Sequence, residues 1–274
     1  PRLISDPGRL PHSMFEAVLA TGISQAAYVE MVSVAASSVI VDTLHLALGL
    51  EIPELPRPLP GAPLGEYNHD AVDSGAWLPI TQAPSDVASS GLPSDPNIAR
   101  ALGLEPGAVA LFFTTFRPHY ALENIPLEIS QAQAEFVAAR VSALNECVYR
   151  TTSHTLLLRA SGKQTETEYD LASITDQSSD SGVAAGDLLR TLTEQTIRGE
   201  WSQLAETRHR ATSELGAQAC ADVLTVAAAF NGITRVADAT GIPLDHNTVD
   251  ATAGMRADVG IDAFAYLAKS RRYE

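Results

Sequence analysis

Residues 130–154 read SQAQAEFVAARVSALNECVYRTTSH, and this stretch decides the fold class. Ser130 has the side chain of a helix N-cap, and it precedes an amphipathic helical pattern over Gln131–Leu144. Asn145 then offers an N-cap for a second helix, from about Glu146 to Ala160. Because the turn between them is short, the two helices are predicted to pack as an antiparallel hairpin.

Helical signals also dominate the rest of the chain. Ser24 and Gly49 bracket one long apolar segment as an N-cap and a C-cap would, and Gly241 ends a second at Ala217–Thr240. Aromatic residues make up only 6% of the sequence, alanine is abundant, and we find no alternating strand pattern of useful length. The sequence therefore predicts an all-α fold, with shorter helices around residues 97–104, 107–116, 187–197, 201–212 and 261–269.

The two long segments resemble each other. An ungapped shift of 192 residues places Ile23–Leu50 on Leu215–Ile242, with six identical positions, of which the terminal glycine is one. If the match reflects a duplication, residues 1–58 form the second half of a partial repeat. Residues 59–94 are then a connector rich in proline and glycine, and residues 95–274 form one complete domain.

Charge and cysteine content restrict the classes of partner and compartment. The formal net charge of −15 disfavours binding to nucleic acid or to an anionic membrane surface. Two cysteines cannot form a disulfide framework, so a reducing, cytoplasmic location is expected. The long apolar segments carry charged and polar residues, which favours buried globular helices over membrane spans. No metal site and no cofactor motif is expected.

Four residues of the opening stretch have the spacing of a reactive site. Cys147, Arg150 and His154 lie three, four and seven positions apart, on one face of the predicted second helix. In the first turn, the helix dipole and Arg150 would lower the pKa of the Cys147 thiol. His154 can shuttle a proton while Glu135, on the facing helix, holds its tautomer. These are the parts of a thiol-based redox site.

Simpler interpretations of the same residues stay open. Glu146 and Arg150 have the i,i+4 spacing of a surface ion pair. A cysteine on a helix is usually a small buried apolar residue, and a lone histidine usually satisfies a nearby polar group.

Residues 135–154 also resemble the signature of the AhpD-like/carboxymuconolactone decarboxylase superfamily. That pattern is Glu, eleven residues, Cys, two residues, Cys, three residues, His, and the Arg-Val-Ser-x-Leu-Asn stretch inside it is typical of peroxidase-related members. Phe230–Asp245 is similar to the segment that closes those domains. The resemblance covers about residues 95–245, together with the half repeat at 23–50.

The resemblance implies an all-α fold that usually forms homo-oligomers, with thiol-dependent hydroperoxide reduction in the redox members. By position, Glu135 and His154 match the proton-relay pair, and Cys147 matches the first cysteine. Arg150 stands where the second cysteine, which attacks the peroxide, is expected. An arginine forms neither a sulfenate nor a disulfide, so the two-cysteine cycle is excluded.

Three interpretations follow. In the first, Glu135, Cys147 and His154 are catalytic: Cys147 is the only nucleophile on a hydroperoxide, and an external thiol reductant resolves it. In the second, Glu135 and His154 move protons on an anionic substrate, as in the decarboxylase branch. In the third, the chain is a non-catalytic helical oligomer whose Arg150 pairs with Glu146 or Glu135. Candidates for lining a substrate pocket are Arg150, Tyr149 and His119.

Overall fold

A computed structural model describes residues 2–55, 57, 60, 67–81, 96–116 and 127–264. Within these ranges the regular structure is helical, apart from one antiparallel bridge between Val72 and Ile80. The predicted all-α class is confirmed. The helices are α1 (Arg2–Ser5), α2 (His12–Leu19), α3 (Gln25–Leu48), α4 (Asn97–Arg100), α5 (Pro106–Phe116), α6 (Gln131–Leu144), α7 (Val148–Gln164), α8 (Gly186–Arg198), α9 (Trp201–Leu215), α10 (Ala217–Thr240) and α11 (His246–Val259).

Local capping signals set the ends of the longest helices, as predicted. The Ser24 hydroxyl accepts a hydrogen bond from the amide of Ala27 at 3.2 Å, and Gly49 ends α3 in the left-handed region at φ 76°. Ser130 and Gln133 form a reciprocal capping box at the start of α6. Gly241 ends α10 at φ 61°.

The C-terminal part of the chain differs from the sequence prediction. The sequence does not predict helix α11, and the described part of the helix expected over 261–269 is only a short 3-10 turn at Ile261–Ala263. Residues beyond 264 lie outside the described part of the chain. Asp245 is the N-cap of α11 but makes no side-chain capping bond, because its carboxylate is engaged by Asn97 and Tyr149 instead.

Helices α3 and α10 pack antiparallel at the centre of the molecule. The Tyr28 hydroxyl near the start of α3 donates to the carbonyl of Ala239 near the end of α10 at 2.8 Å. At mid-length Gly232 faces Ile40 and the backbone of Ala36, so closely that a side chain at this glycine would overlap with Ile40. Most of α10 is buried, and α6, α8 and α9 pack around it.

Within the described part of the chain, two helices are long and apolar enough to cross a membrane, as judged by length and composition alone. In α3 the most apolar window is 44% buried, and in α10 it is 89% buried. Helix α10 is the central core helix of this fold, and such core helices have the same length and composition as membrane spans.

Candidate functional site

Helices α6 and α7 form the predicted hairpin, but the turn between them differs from the prediction. Asn145 is the C-cap of α6, not the N-cap of α7, and Glu146 adopts a left-handed conformation at φ 52°. Cys147 is the N-cap residue of α7, and its amide donates to the carbonyl of Ser142 at 2.9 Å. The predicted start of this helix at Glu146 is therefore wrong by two residues.

The turn also rules out one of the simpler interpretations of Arg150. Glu146 lies outside α7, so the i,i+4 geometry that would bring it to Arg150 does not exist. Its carboxylate instead meets the Nε of Arg9 at 3.5 Å.

Glu135, His154 and Arg150 form a continuous buried chain of hydrogen bonds, which we call the relay. His154 Nδ1 lies 2.6 Å from Glu135 Oε2, and His154 Nε2 lies 2.5 Å from Arg150 Nη2. A guanidinium can only donate, so Nε2 accepts and the ring proton is on Nδ1, which donates to the carboxylate. The exposed fractions are 3% for Glu135, 2% for His154 and 7% for Arg150, so the relay is largely withdrawn from water.

Burial and charge together keep the imidazole neutral. Burial, and after it the guanidinium of Arg150, outweigh the opposing carboxylate of Glu135 and lower the pKa of His154 to about 4. The neutral ring therefore bridges an acidic and a basic side chain inside the protein.

Phe230 of α10 contacts two members of the relay. The Arg150 guanidinium carbon lies 5.0 Å from the centroid of the Phe230 ring, a cation–π contact. The His154 ring meets the same phenyl group at 4.4 Å with a T-shaped interplanar angle of 79°. Sequence reasoning did not assign Phe230 to the site, because its contact with α7 depends on how α10 packs.

Acid should weaken the fold through His154. In the unfolded chain its pKa is about 6.5, so below that pH the unfolded state takes up a proton that the native state does not bind. We expect the free energy of unfolding to keep its full value above about pH 6.5 and to fall by about 3 kcal/mol as the pH drops to about 4. Urea unfolding across this window measures the slope, and His154→Gln should flatten it. A slope that persists in His154→Gln would place the acid sensitivity elsewhere.

The thiol of Cys147 lies against α10. It is fully buried, and its Sγ lies 3.9 Å from the carbonyl oxygen of Thr234 on α10, so the thiol can donate there. Seven residues along a helix correspond to about 10 Å, the axial separation between Cys147 and His154. Cys220 lies against the carbonyl of Arg208, and burial raises the pKa of its thiol. Neither of the two cysteines forms a disulfide.

The other pocket candidates are placed differently. The Tyr149 hydroxyl donates to Asp245 Oδ2 at 2.7 Å and accepts from the amide of Ile98 at 3.3 Å. Burial, followed by the nearby Asp245 carboxylate, raises the pKa of Tyr149 well above its usual value. Tyr149 therefore joins α7 to the segments that hold α4 and α11, rather than lining the relay. His119 lies outside the described residues.

A buried polar network, not anticipated from the sequence, surrounds the turn before Cys147. The Asn145 amide nitrogen lies 3.1 Å from Asn231 Oδ1 and 2.9 Å from the hydroxyl of Thr234. Asn231 donates in turn to the Thr43 hydroxyl on α3 at 3.0 Å and accepts from Arg235 at 2.7 Å. The network ties the turn to both central helices, which explains why Asn145 does not cap α7.

Residues 2–9, which we call the strap, lie over the same turn. Arg235 Nη2 donates to the carbonyl of Ile4 at 2.6 Å, and Gly8 packs directly on the backbone of Asn145. A cleft of about 260 Å³ remains beside the strap, lined in part by Asp6, Arg9 and Glu146. Leu3 packs against the hydrophobic core and Pro7 is buried, so apolar contacts hold the strap together with the polar ones and the close approach at Gly8.

Gly8→Val should lift the strap. A side chain at this position would collide with the carbonyl oxygen of Asn145, a backbone atom that cannot move away cheaply. We expect maleimide labelling of Cys147 to become severalfold faster, with the buried Cys220 as an internal reference in the same sample. Peptide mass spectrometry after timed quenching distinguishes the two thiols. Unchanged Cys147 labelling would mean that the strap does not control access to the turn.

Metal-ligating side chains and a second cleft complete the description of the surface. Among the residues that the structure describes, no three His, Cys, Asp or Glu side chains come together as a metal site requires. A second cleft of about 330 Å³ is lined by both acidic and basic residues, among them Asp187, Arg190, Glu194 and Arg198. The three relay residues line neither of these two clefts.

Comparison of the chain with protein-family models, with curated proteins and with solved structures found no match in any of the three.

Proposed function

We propose that the chain is a non-redox relative of the AhpD-like superfamily that binds a small anionic substrate through Arg150 and moves a proton at His154. One observation carries the proposal. The guanidinium of Arg150 lies 2.5 Å from the Nε2 of His154, at the position where the resemblance places the attacking cysteine. A base with a cation beside it is suited to acid–base chemistry on an anion, whereas the two-cysteine reduction of a peroxide needs a sulfur atom at that position.

The relay supplies a resting state for such chemistry. With no anion bound, Arg150 occupies the lone pair of His154 Nε2 and the base is blocked. A carboxylate that takes two hydrogen bonds from the guanidinium would draw Arg150 away from the ring. The Nε of Arg150 is buried and has no hydrogen-bond partner among the described residues, so it can donate to such a ligand.

The released imidazole can then accept a proton from the substrate on Nε2. Glu135, which already accepts from Nδ1–H at 2.6 Å, stabilises the imidazolium that forms. The same proton returns to the product from Nε2, so the enzyme ends in the state in which it began. In this scheme Arg150 binds and orients the substrate, His154 is the acid and base, and Glu135 positions His154.

Nuclear magnetic resonance tests the proposal directly. Protein labelled with ¹⁵N in its histidine rings would be titrated with acetate, succinate and benzoate, which sample short, dicarboxylic and aromatic anions. We expect at least one to shift the His154 Nε2 signal saturably. Arg150→Met should abolish the shift, and Arg159→Met, a change on the same helix outside the relay, should retain it.

Two outcomes would replace the proposal. If no carboxylate perturbs His154, the relay is a structural element of a non-catalytic helical protein. If the chain consumes hydroperoxide in the presence of an external thiol and Cys147→Ser abolishes that activity, Cys147 is the nucleophile of a one-cysteine oxidoreductase. The dipole at the start of α7 would then be what activates the thiol.

A further inference from the structure

The second of the two clefts lies along α8, between the loop before that helix and the first residues of α9. We call it the α8 cleft; its lining includes Gln177, Glu194, Gln195, Arg198 and Glu200. Its volume of about 330 Å³ is near the lower end of the roughly 300–1,000 Å³ that ligand pockets have. The α8 cleft therefore has room for a small molecule, and its lining carries charged side chains of both signs.

The buried charges beneath the α8 cleft are not balanced. Arg140, Arg190 and Glu194 are each at most 9% exposed, so two buried guanidinium groups share one buried carboxylate. Arg140 Nη2 lies 2.6 Å from Glu194 Oε1, whereas Arg190 donates to backbone carbonyl oxygens of the loop before α8. Two further acids near Arg190, Asp187 and Asp176, are exposed, so water screens them. The excess of buried positive charge favours an anionic group in the cleft.

The side chain of Gln177 occupies the position that an anionic oxygen would take. With its amide oxygen turned toward the two guanidinium groups, Gln177 accepts from Arg198 Nη2 at 2.8 Å and from Arg140 Nη2 at 3.2 Å. This oxygen is neutral, whereas charge-assisted hydrogen bonds to a carboxylate are about twice as strong. Gln177 is exposed on a loop and the side chain of Arg198 is 42% exposed, so a ligand can reach Arg198 and displace the amide.

Two acceptors in the same cleft suit a cationic donor. Gln195 Oε1 is buried and has no hydrogen-bond partner among the described residues. Glu200 is half-buried at the N-cap position of α9, but its side chain makes no capping bond there. Both residues lie within three positions of Arg198 in the sequence. An ammonium group has three N–H donors and a positive charge, so it can bond to the amide oxygen and to the carboxylate together.

We propose that the α8 cleft binds a small zwitterion that carries a carboxylate and an ammonium group, the chemistry of a free amino acid. The carboxylate replaces the amide oxygen of Gln177 at Arg198 and Arg140, and it supplies the negative charge that the buried guanidinium groups lack. The ammonium group donates to Gln195 and Glu200. The acidic side chains along the cleft disfavour a molecule with negative charge alone, and the guanidinium groups disfavour a simple cation.

Isothermal titration calorimetry of the full chain tests the proposal. The probes are L-alanine, L-glutamine and L-phenylalanine, which share one zwitterionic head group and differ in the size and polarity of their side chains. We expect at least one of them to bind saturably below about 10 mM. Propionate and ethylamine each carry one half of the head group and should bind at least tenfold more weakly. The proposal is overturned if none of the three amino acids binds, or if propionate binds as tightly as they do.

Two substitutions at the carboxylate end test its proposed contacts. Gln177→Ala removes the competing amide oxygen and should tighten amino-acid binding severalfold, a gain that a structural role of Gln177 would not produce. Arg198→Gln should weaken binding at least tenfold. Arg210→Gln changes another exposed arginine, on α9 and outside the cleft, and should leave binding unchanged. Weaker binding by Gln177→Ala, or equal binding by Arg198→Gln, would contradict the proposed contacts.

Glu200→Gln locates the ammonium end. Arg198 also lines the first cleft, whereas Glu200 lines only the α8 cleft of the two. Glu200→Gln should bind the amino acid severalfold more weakly and leave the affinity for propionate unchanged or higher. Arg150→Met should bind the amino acid as the unaltered chain does, which separates this site from the function proposed for the relay. Unchanged amino-acid binding by Glu200→Gln would contradict the proposal, and so would its loss in Arg150→Met.

Discussion

Glu135→Ala is expected to destabilise the protein by about 3–5 kcal/mol, because it removes the only acidic member of the relay. Arg150 would then be a buried cation beside a neutral ring, with an exposed fraction of 7%. His154 would also lose the acceptor of its Nδ1 proton. Both losses leave buried polar groups unsatisfied, which costs more than the bond itself contributed.

The matched comparison removes the whole relay at once. Glu135→Leu/Arg150→Met/His154→Leu replaces three polar side chains by apolar ones of similar length, so no buried charge is left behind. We expect its stability to lie within about 1 kcal/mol of the unaltered protein or above it. Urea unfolding followed by circular dichroism compares the single and the triple variant. A triple variant as unstable as Glu135→Ala would mean that the fold depends on the relay, which would weaken the case for a chemical role.

Gly232→Ala should cost about 2–4 kcal/mol, since it forces apart the two central helices. The added methyl group would overlap with Cγ1 of Ile40 and lie 2.8 Å from the carbonyl oxygen of Ala36. A side chain can rotate away from such a clash, but the backbone of α3 can only move as a whole. We expect a lower urea midpoint with no loss of helical signal before unfolding.

Gly254→Ala is the control for this change. Gly254 also lies inside a helix, but nothing approaches the position of its missing side chain within 4 Å. The same substitution should therefore stabilise α11 by up to about 1 kcal/mol through helix propensity. If both glycine variants shift the free energy of unfolding in the same direction, the close approach of α3 and α10 is not the reason why position 232 requires a glycine.

The long helices could be predicted because residues at their own ends determine where they begin and end. Ser24, Ser130, Gly49 and Gly241 act through their own side chain or backbone freedom, and all four behave as predicted. Asn145 has the same local character, yet it faces Asn231 and Thr234 and does not cap α7. Those partners are 86 and 89 residues away, so a tertiary contact overrides the local preference.

Helical spacing predicted only the part of the site that the two helices of the hairpin form. Glu135 and His154 meet because the hairpin brings the two helices together in the expected register. The same spacing did not indicate that Arg150 binds the ring nitrogen of His154, because an arginine has several rotamers and Glu146 was a competing partner. The contact with Phe230 depends on how α10 packs, which no local pattern encodes.

The protonation state of His154 tests the central claim, the relay, most directly. In a long-range ¹H–¹⁵N spectrum of the unaltered protein, we predict two well-separated ring nitrogens, with the proton on Nδ1. The pattern should stay unchanged as the pH falls from about 8 to about 5, because the pKa of His154 lies near 4. A ring that titrates with a midpoint near 6.5, or that carries its proton on Nε2, would contradict the Glu135–His154–Arg150 relay.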